Sequence, residues 1–154
     1  MKFIEVIKAR AKQDMKTIIL PETKDKRTLI AAAHVLKEGT ARLVMIGDEE
    51  KIMDGAHWLD VELDGITVVN PETYPKLPEY VETLYELRKA KGMTMESARE
   101  QLLTNYIMFG VMMVKLKDAD GMVAGACHAT ADVLRPSLQI LKTAPGTELV
   151  SGFY

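Results

Sequence analysis

GMVAGACHATADVLRP, residues 121–136, reads as strand, loop and helix in succession. Met122-Val123-Ala124 is a short apolar run, and Gly125-Ala126-Cys127-His128 is a tight turn. From residue 131 to 144 the apolar residues recur at helical spacing, with Pro136 expected in the first turn or so, where it is tolerated. In an open parallel sheet such a loop lies beyond the carboxyl end of its strand, where ligands bind. The incoming helix offers N–H groups and the positive end of its dipole to an anion. Thr130 or Asp132 is placed to cap that helix. Arg135 follows within a turn or two, placed to reach back over the same mouth as a bidentate donor to phosphate or carboxylate.

Upstream, the pattern repeats the alternation of strand and helix. Short apolar runs at 17–20, 42–46 and 66–69 are each stopped by Pro, Gly-Asp or Asn-Pro. Amphipathic helices are expected over 2–14, 25–38, around 49–54 and over 78–91, with Gly39 and Gly92 as stops. Residues 94–116 read as two consecutive helices that bend near Thr104-Asn105. Residues 148–154 read as the start of a further strand. Helices between strands predict a mostly parallel open sheet with helices on both faces. Right-handed crossovers then collect Pro21-Glu22-Thr23, Gly47-Asp48, Asn70-Pro71 and residues 125–130 on one edge. For Glu22 and Thr23, a turn or helix-capping role competes with ligand contact.

The 154 residues suffice for one domain with a core. A net charge of -2 gives no basic excess for nucleic acid. Neither a signal peptide nor a membrane-spanning run is apparent. A single cysteine forms no internal disulfide, and the simplest expectation is a reducing, cytoplasmic compartment. No Cys/His spacing suggests zinc, and His34 and His57 lack a partner pattern, so no metal is expected. GxGxxG after a strand and GxxxxGK[ST] are both missing, as are the acidic cluster and distant Lys of a receiver domain. Met108, Met112 and Met113 read as core filler.

The block GACHATADVLRPSLQILKTAPG resembles the glycine-rich loop and helix of the phosphate acetyltransferases. TIILPETKDKRTLIAAAHVL, NPETYPKLPEYVETLYELRKAKG and LVSGFY agree with the same family. The resemblance spans the chain but matches only the amino-terminal part of a family member. It implies a lobe like that of the isocitrate and isopropylmalate dehydrogenases, with residues 1–154 as the first, truncated domain of a two-lobe acyltransferase. It implies acetyl transfer between coenzyme A and inorganic phosphate. Coenzyme A is then a substrate, and no cofactor is tightly bound. A homodimer or other homo-oligomer, or association with the missing lobe, is implied as well.

The same resemblance assigns ligand contacts to Arg135 and, through the ELRK block, to Arg88 as a coenzyme A phosphate contact. Without it, Arg135 pairing with Asp132 is an equal reading, and Arg88 belongs to a solvated helix face. Gly125 and Thr130 join the substrate-binding set from the loop and helix start. So does His128, whose imidazole suits acid–base work, although a hydrogen bond to backbone is the more ordinary role. Cys127 is expected to be structural, its side chain pointing away from that of His128. The family's thiol-handling serine and aspartate have no match in residues 1–154, so the general base is expected beyond residue 154 and the chain alone to be inactive. Phosphate butyryl transfer, an acetyl-CoA-sensing lobe and a non-catalytic α/β binding module are the alternatives. A final strand left unpaired is expected to promote self-association.

Overall fold

The computed structural model describes residues 2–150. Strands β1 (Thr17–Leu20), β2 (Arg42–Ile46), β3 (Thr67–Val69) and β4 (Gly121–Met122) form one parallel sheet in the order β3-β2-β1-β4. The helices are α1 (Phe3–Gln13), α2 (Lys26–Glu38), α3 (Glu49–Trp58), α4 (Leu77–Arg88), α5 (Met95–Thr104), α6 (Tyr106–Lys115) and α7 (Thr130–Ile140). Alternate strand side chains enter two cores. Ile19, Val44, Ile46 and Val69 join α4–α7 on one face, while Leu43 and Met45 join α2 and α3 on the other. The parallel sheet with helices on both faces is therefore as the alternation predicts.

Local signals set most boundaries. Asp25 caps α2 by accepting from the Arg27 N–H, and Gly39 ends the helix at φ 69°. Thr94 and Ser97 exchange side-chain and backbone bonds in a capping box that opens α5. Asn105 separates α5 from α6, its Oδ1 accepting the Met108 N–H at 3.1 Å.

Several expectations need correction. The helix expected over 78–91 ends as a 3-10 turn at Lys89–Lys91. α3 runs on to Trp58, well past the expected Asp54. α7 begins at Thr130 and stops at Ile140, so Pro136 lies in its second turn. The fourth strand is Gly121–Met122, not 122–124: Val123 still donates to the Ile19 carbonyl at 3.0 Å, but the chain then turns toward β1. Glu148, Leu149 and Val150 form no strand, and the rest of that expected element lies outside the described residues. The apolar side of α1 packs on little: Phe3 is 79% exposed and no α1 residue is buried.

So short a β4 needs other anchors. Thr17 N–H donates to Asp120 Oδ2 at 2.8 Å, and the Asp120 N–H returns a bond to the Thr17 carbonyl at 2.9 Å. Just upstream, Asp118 accepts from the buried Tyr80 hydroxyl and from Lys76 Nζ. From α6, Gly110 lets the helix press on the sheet, because a Cβ there would lie 2.6 Å from Met122 Sδ.

The order of strands places the site. From β1 the chain steps outward to β2 and β3, then returns to the opposite edge of β1 as β4. The topological switch falls between β1 and β4, and a crevice opens beyond their carboxyl ends.

Candidate functional site

Two segments meet at that crevice: Pro21-Glu22-Thr23 after β1 and the 125–128 loop after β4. Glu22 is buried, its side chain 3% exposed. Its Oε1 accepts the N–H groups of Gly125 at 2.7 Å and Ala126 at 2.9 Å. Its Oε2 accepts the Cys127 N–H at 2.7 Å and lies 2.8 Å from His128 Nδ1. Burial alone would raise the pKa of this carboxyl. The bonds from His128 and from the Cys127 and Ala126 N–H groups outweigh it and hold the group well below the usual carboxylate range. The loop N–H groups thus clasp a protein carboxylate.

Gly125 makes the clasp by its backbone, at φ 120°, a conformation that a side chain would strain. From the first turn of α2, Arg27 donates to the Ala126 carbonyl while paired with Asp25 at 2.7 Å. Thr23, also buried, donates to the Ile46 carbonyl at 2.8 Å and ties the segment to the end of β2.

Cys127 and His128 do not point apart as expected. The loop curls around Glu22, and Sγ stands 3.6 Å from Nδ1. Cys127 is exposed, so it does not fill a core. Its thiol is pushed up to about 11, chiefly by its bond to Glu22, then by burial and the nearby negative charge. A thiol so placed stays protonated near neutrality and makes a poor nucleophile. His128 bonds a carboxylate rather than backbone.

A cleft of about 900 Å³ lies beside this clasp. Glu22, Cys127 and His128 form one part of its wall, Asn105 and Tyr106 another, and Arg135 stands on its rim. Arg135 is exposed, and among the described residues its guanidinium has no ion pair or hydrogen bond. Asp132, its suspected partner, instead accepts the Ala129 N–H at 3.3 Å. Ala129 is the N-cap of α7, and of the two expected capping residues it is Asp132, bonded to the Ala129 N–H, that serves this end of the helix, not Thr130. Thr130 is the first helical residue and is exposed, and neither it nor Gly125 lines the cleft.

Arg88 lies at the end of α4, outside the main cleft. It lines a shallower groove of about 550 Å³ along α7 together with Arg135, Leu134, Leu138 and Lys142. Gln139 borders both spaces. The Arg88 side chain also has no ion pair or hydrogen bond among the described residues, so the two guanidinium groups flank the groove as free cations.

The family model described as "Phosphate acetyl/butaryl transferase" matches residues 2–154. A phosphate acetyltransferase of Acetivibrio thermocellus is 53% identical over 154 residues, covering 100% of this chain and 46% of its own length. That of Clostridium acetobutylicum is 49% identical over the same span, again 46% of its length. A phosphotransacetylase structure from Streptococcus pyogenes superposes with a TM-score of 0.89 at 35% identity, covering 97% of this chain and 46% of that one. The EutD phosphotransacetylase from Staphylococcus aureus gives 0.84 at 38% identity, covering 95% and 44%. The chain spans about half the length of the curated relatives it matches. With a matching model along nearly every residue and a shared fold, the chain belongs to the phosphate acetyl/butaryl transferase family.

Proposed function

We propose that the protein, at its full natural length, is a phosphate acetyltransferase, moving an acetyl group between coenzyme A and inorganic phosphate. The observation that carries this reading is Arg135, an unpaired guanidinium on the rim of a cleft beyond the topological switch. Two anions must meet there: phosphate, and the phosphate-bearing tail of coenzyme A. Arg135 is suited to a bidentate grip on one, while Arg88, along the adjoining groove, is suited to the other. The first turn of α7, where Asp132 takes only the Ala129 N–H and no side chain among the described residues takes those that follow, adds N–H donors and a positive dipole end beside them. The reaction adds phosphate oxygen to the acetyl carbonyl and expels the coenzyme A thiolate, and fixed cations lower the cost of the charge that develops.

In this reading residues 1–154 are one α/β lobe of a two-lobe enzyme and supply one wall of its cleft. Arg135 and His128 stand on the substrate-binding wall and Arg88 along the adjoining groove, while Gly125 and Thr130 act from behind it, Gly125 by shaping the loop on Glu22 and Thr130 by starting α7. The general base lies on the other wall. The working form is a cytoplasmic homo-oligomer, and no cofactor is retained between turnovers. Among the described residues no helix is long and apolar enough to cross a membrane.

A coupled assay following acetyl-CoA formation from acetyl phosphate and coenzyme A tests the reading. Activity is expected in the full-length protein and absent from residues 1–154 alone. Arg135→Ala is expected to lower kcat/KM by about 10–100-fold, the loss of one charged hydrogen-bonding contact of about 1.5–3 kcal/mol. Full-length protein without activity, or an Arg135→Ala variant that keeps its kcat/KM, contradicts the assignment.

A further inference from the structure

We propose that Glu22, Cys127 and His128 form a binding site for a thiophilic divalent cation of the zinc class at the edge of the cleft. One ligand atom from each of the three lies within 4.8 Å of the others. The set offers a thiol that gives up its proton to the ion, an imidazole and a carboxylate, the donors zinc takes.

The spacing fits the ion. A tetrahedral zinc holding a thiolate at about 2.3 Å and an imidazole nitrogen at about 2.0–2.1 Å puts those two atoms about 3.6 Å apart. Cys127 Sγ and His128 Nδ1 stand at 3.6 Å. Glu22 Oε2 is 2.8 Å from the same nitrogen, a hydrogen-bond distance. An oxygen and a nitrogen sharing a tetrahedral zinc sit about 3.3 Å apart, so that pair opens by about half an ångström as the ion enters.

Glu22 gives up little. Oε1 keeps the Gly125 and Ala126 N–H groups, and Oε2 keeps that of Cys127. Only the His128 bond is exchanged for the metal. The thiol proton leaves to solvent. The Nδ1 proton of His128 moves to Nε2 if the ring is neutral, or also leaves to solvent if the ring is charged. The fourth position faces the cleft, which both Cys127 and His128 line. The backbone bonds to Glu22 hold the three donors together without an ion, so the site is largely formed beforehand.

Cobalt(II) is the probe, in the reduced protein at full natural length, read by absorption with no turnover required. The expected result is a near-ultraviolet thiolate-to-cobalt band with tetrahedral visible bands, saturating at one ion per chain and bleached by zinc. Cys127→Ser abolishes the near-ultraviolet band, and His128→Gln weakens cobalt binding at least tenfold. Neither variant removes the three N–H bonds to Glu22, and circular dichroism confirms that each stays folded. No thiolate band up to millimolar cobalt overturns the proposal. A band that survives unchanged in His128→Gln also overturns it, since the thiol would then be binding metal alone.

Discussion

Glu22→Gln is the most informative perturbation, because it keeps the shape of the side chain and removes its charge. In the wild type one buried carboxylate takes three backbone N–H groups and His128. Glutamine retains one acceptor oxygen for the Gly125 and Ala126 N–H groups and turns its NH₂ toward the Oε2 side, where the Cys127 N–H meets it donor against donor and His128 Nδ1 must change from donor to acceptor. Each hydrogen bond to a charged group contributes about 1.5–3 kcal/mol. The loop is exposed and water satisfies part of the deficit, so we expect a loss of about 2–3 kcal/mol. With a urea slope of about 2 kcal/mol/M, the unfolding midpoint should fall by about 1–1.5 M. The assay is urea unfolding of both full-length proteins by far-ultraviolet circular dichroism, at neutral and acid pH. The folded-state pKa of Glu22 is depressed. Its contribution is therefore present above the unfolded value of about 4.3 and is lost as pH falls below it, when the unfolded chain takes a proton that the folded one refuses. The gap between wild type and variant should narrow below about pH 5. Equal midpoints near neutrality, or a gap that stays constant down to about pH 3, would refute the clasp as a stabilising charge.

Other outcomes follow from single sites. Arg88→Ala should raise KM for coenzyme A about tenfold with kcat nearly unchanged, since the contact lies away from the reacting carbonyl. Steady-state kinetics at varied coenzyme A reads this, and a fall in kcat alone would contradict it. Gly110→Ala should cost about 1–3 kcal/mol in urea unfolding, because the new methyl meets Met122 Sδ at 2.6 Å and Ile19 and Ile46 behind it at 3.4 Å. Cys127 should be alkylated slowly by iodoacetamide near neutral pH despite its exposure, with the rate still rising about tenfold per pH unit up to its pKa of about 11. A rate that levels off below about pH 9 would show that Glu22 does not hold the thiol protonated.

The sheet was legible because its signals are local. Each strand before β4 carries its own apolar run and breaker, and helix stops such as Gly39 and caps such as Thr94 act within a few residues. β4 was misjudged because so short a ladder is set by Asp120 and Thr17, partners far apart in the chain. Arg135 stands out through the family resemblance of the 121–136 stretch, since by spacing alone a pairing with Asp132 is an equal reading. Glu22 could be placed on the right edge, but its role could not be read: the Gly125 N–H it binds is 103 residues away. Arg27 carried still less signal, looking like any cation in a first helical turn. The convergence of Cys127 and His128 is not legible locally, because side chains alternate only in an extended loop and this one wraps a buried anion.

The strand order also dictates when the site comes into being during synthesis. β1, β2 and β3 pair between near neighbours and need only the first part of the chain. The other edge of β1 waits for β4, which pairs with Ile18 and Ile19 from residues 121–122. At about 5–20 residues per second, the ribosome takes several seconds to deliver that strand. During that interval the edge of β1 is open and Glu22 has none of its loop donors. A nascent chain at this stage carries an uncovered strand edge and an uncompensated carboxylate side by side, the state in which chaperone capture or mispairing between neighbouring chains would do most to set the yield of folded protein.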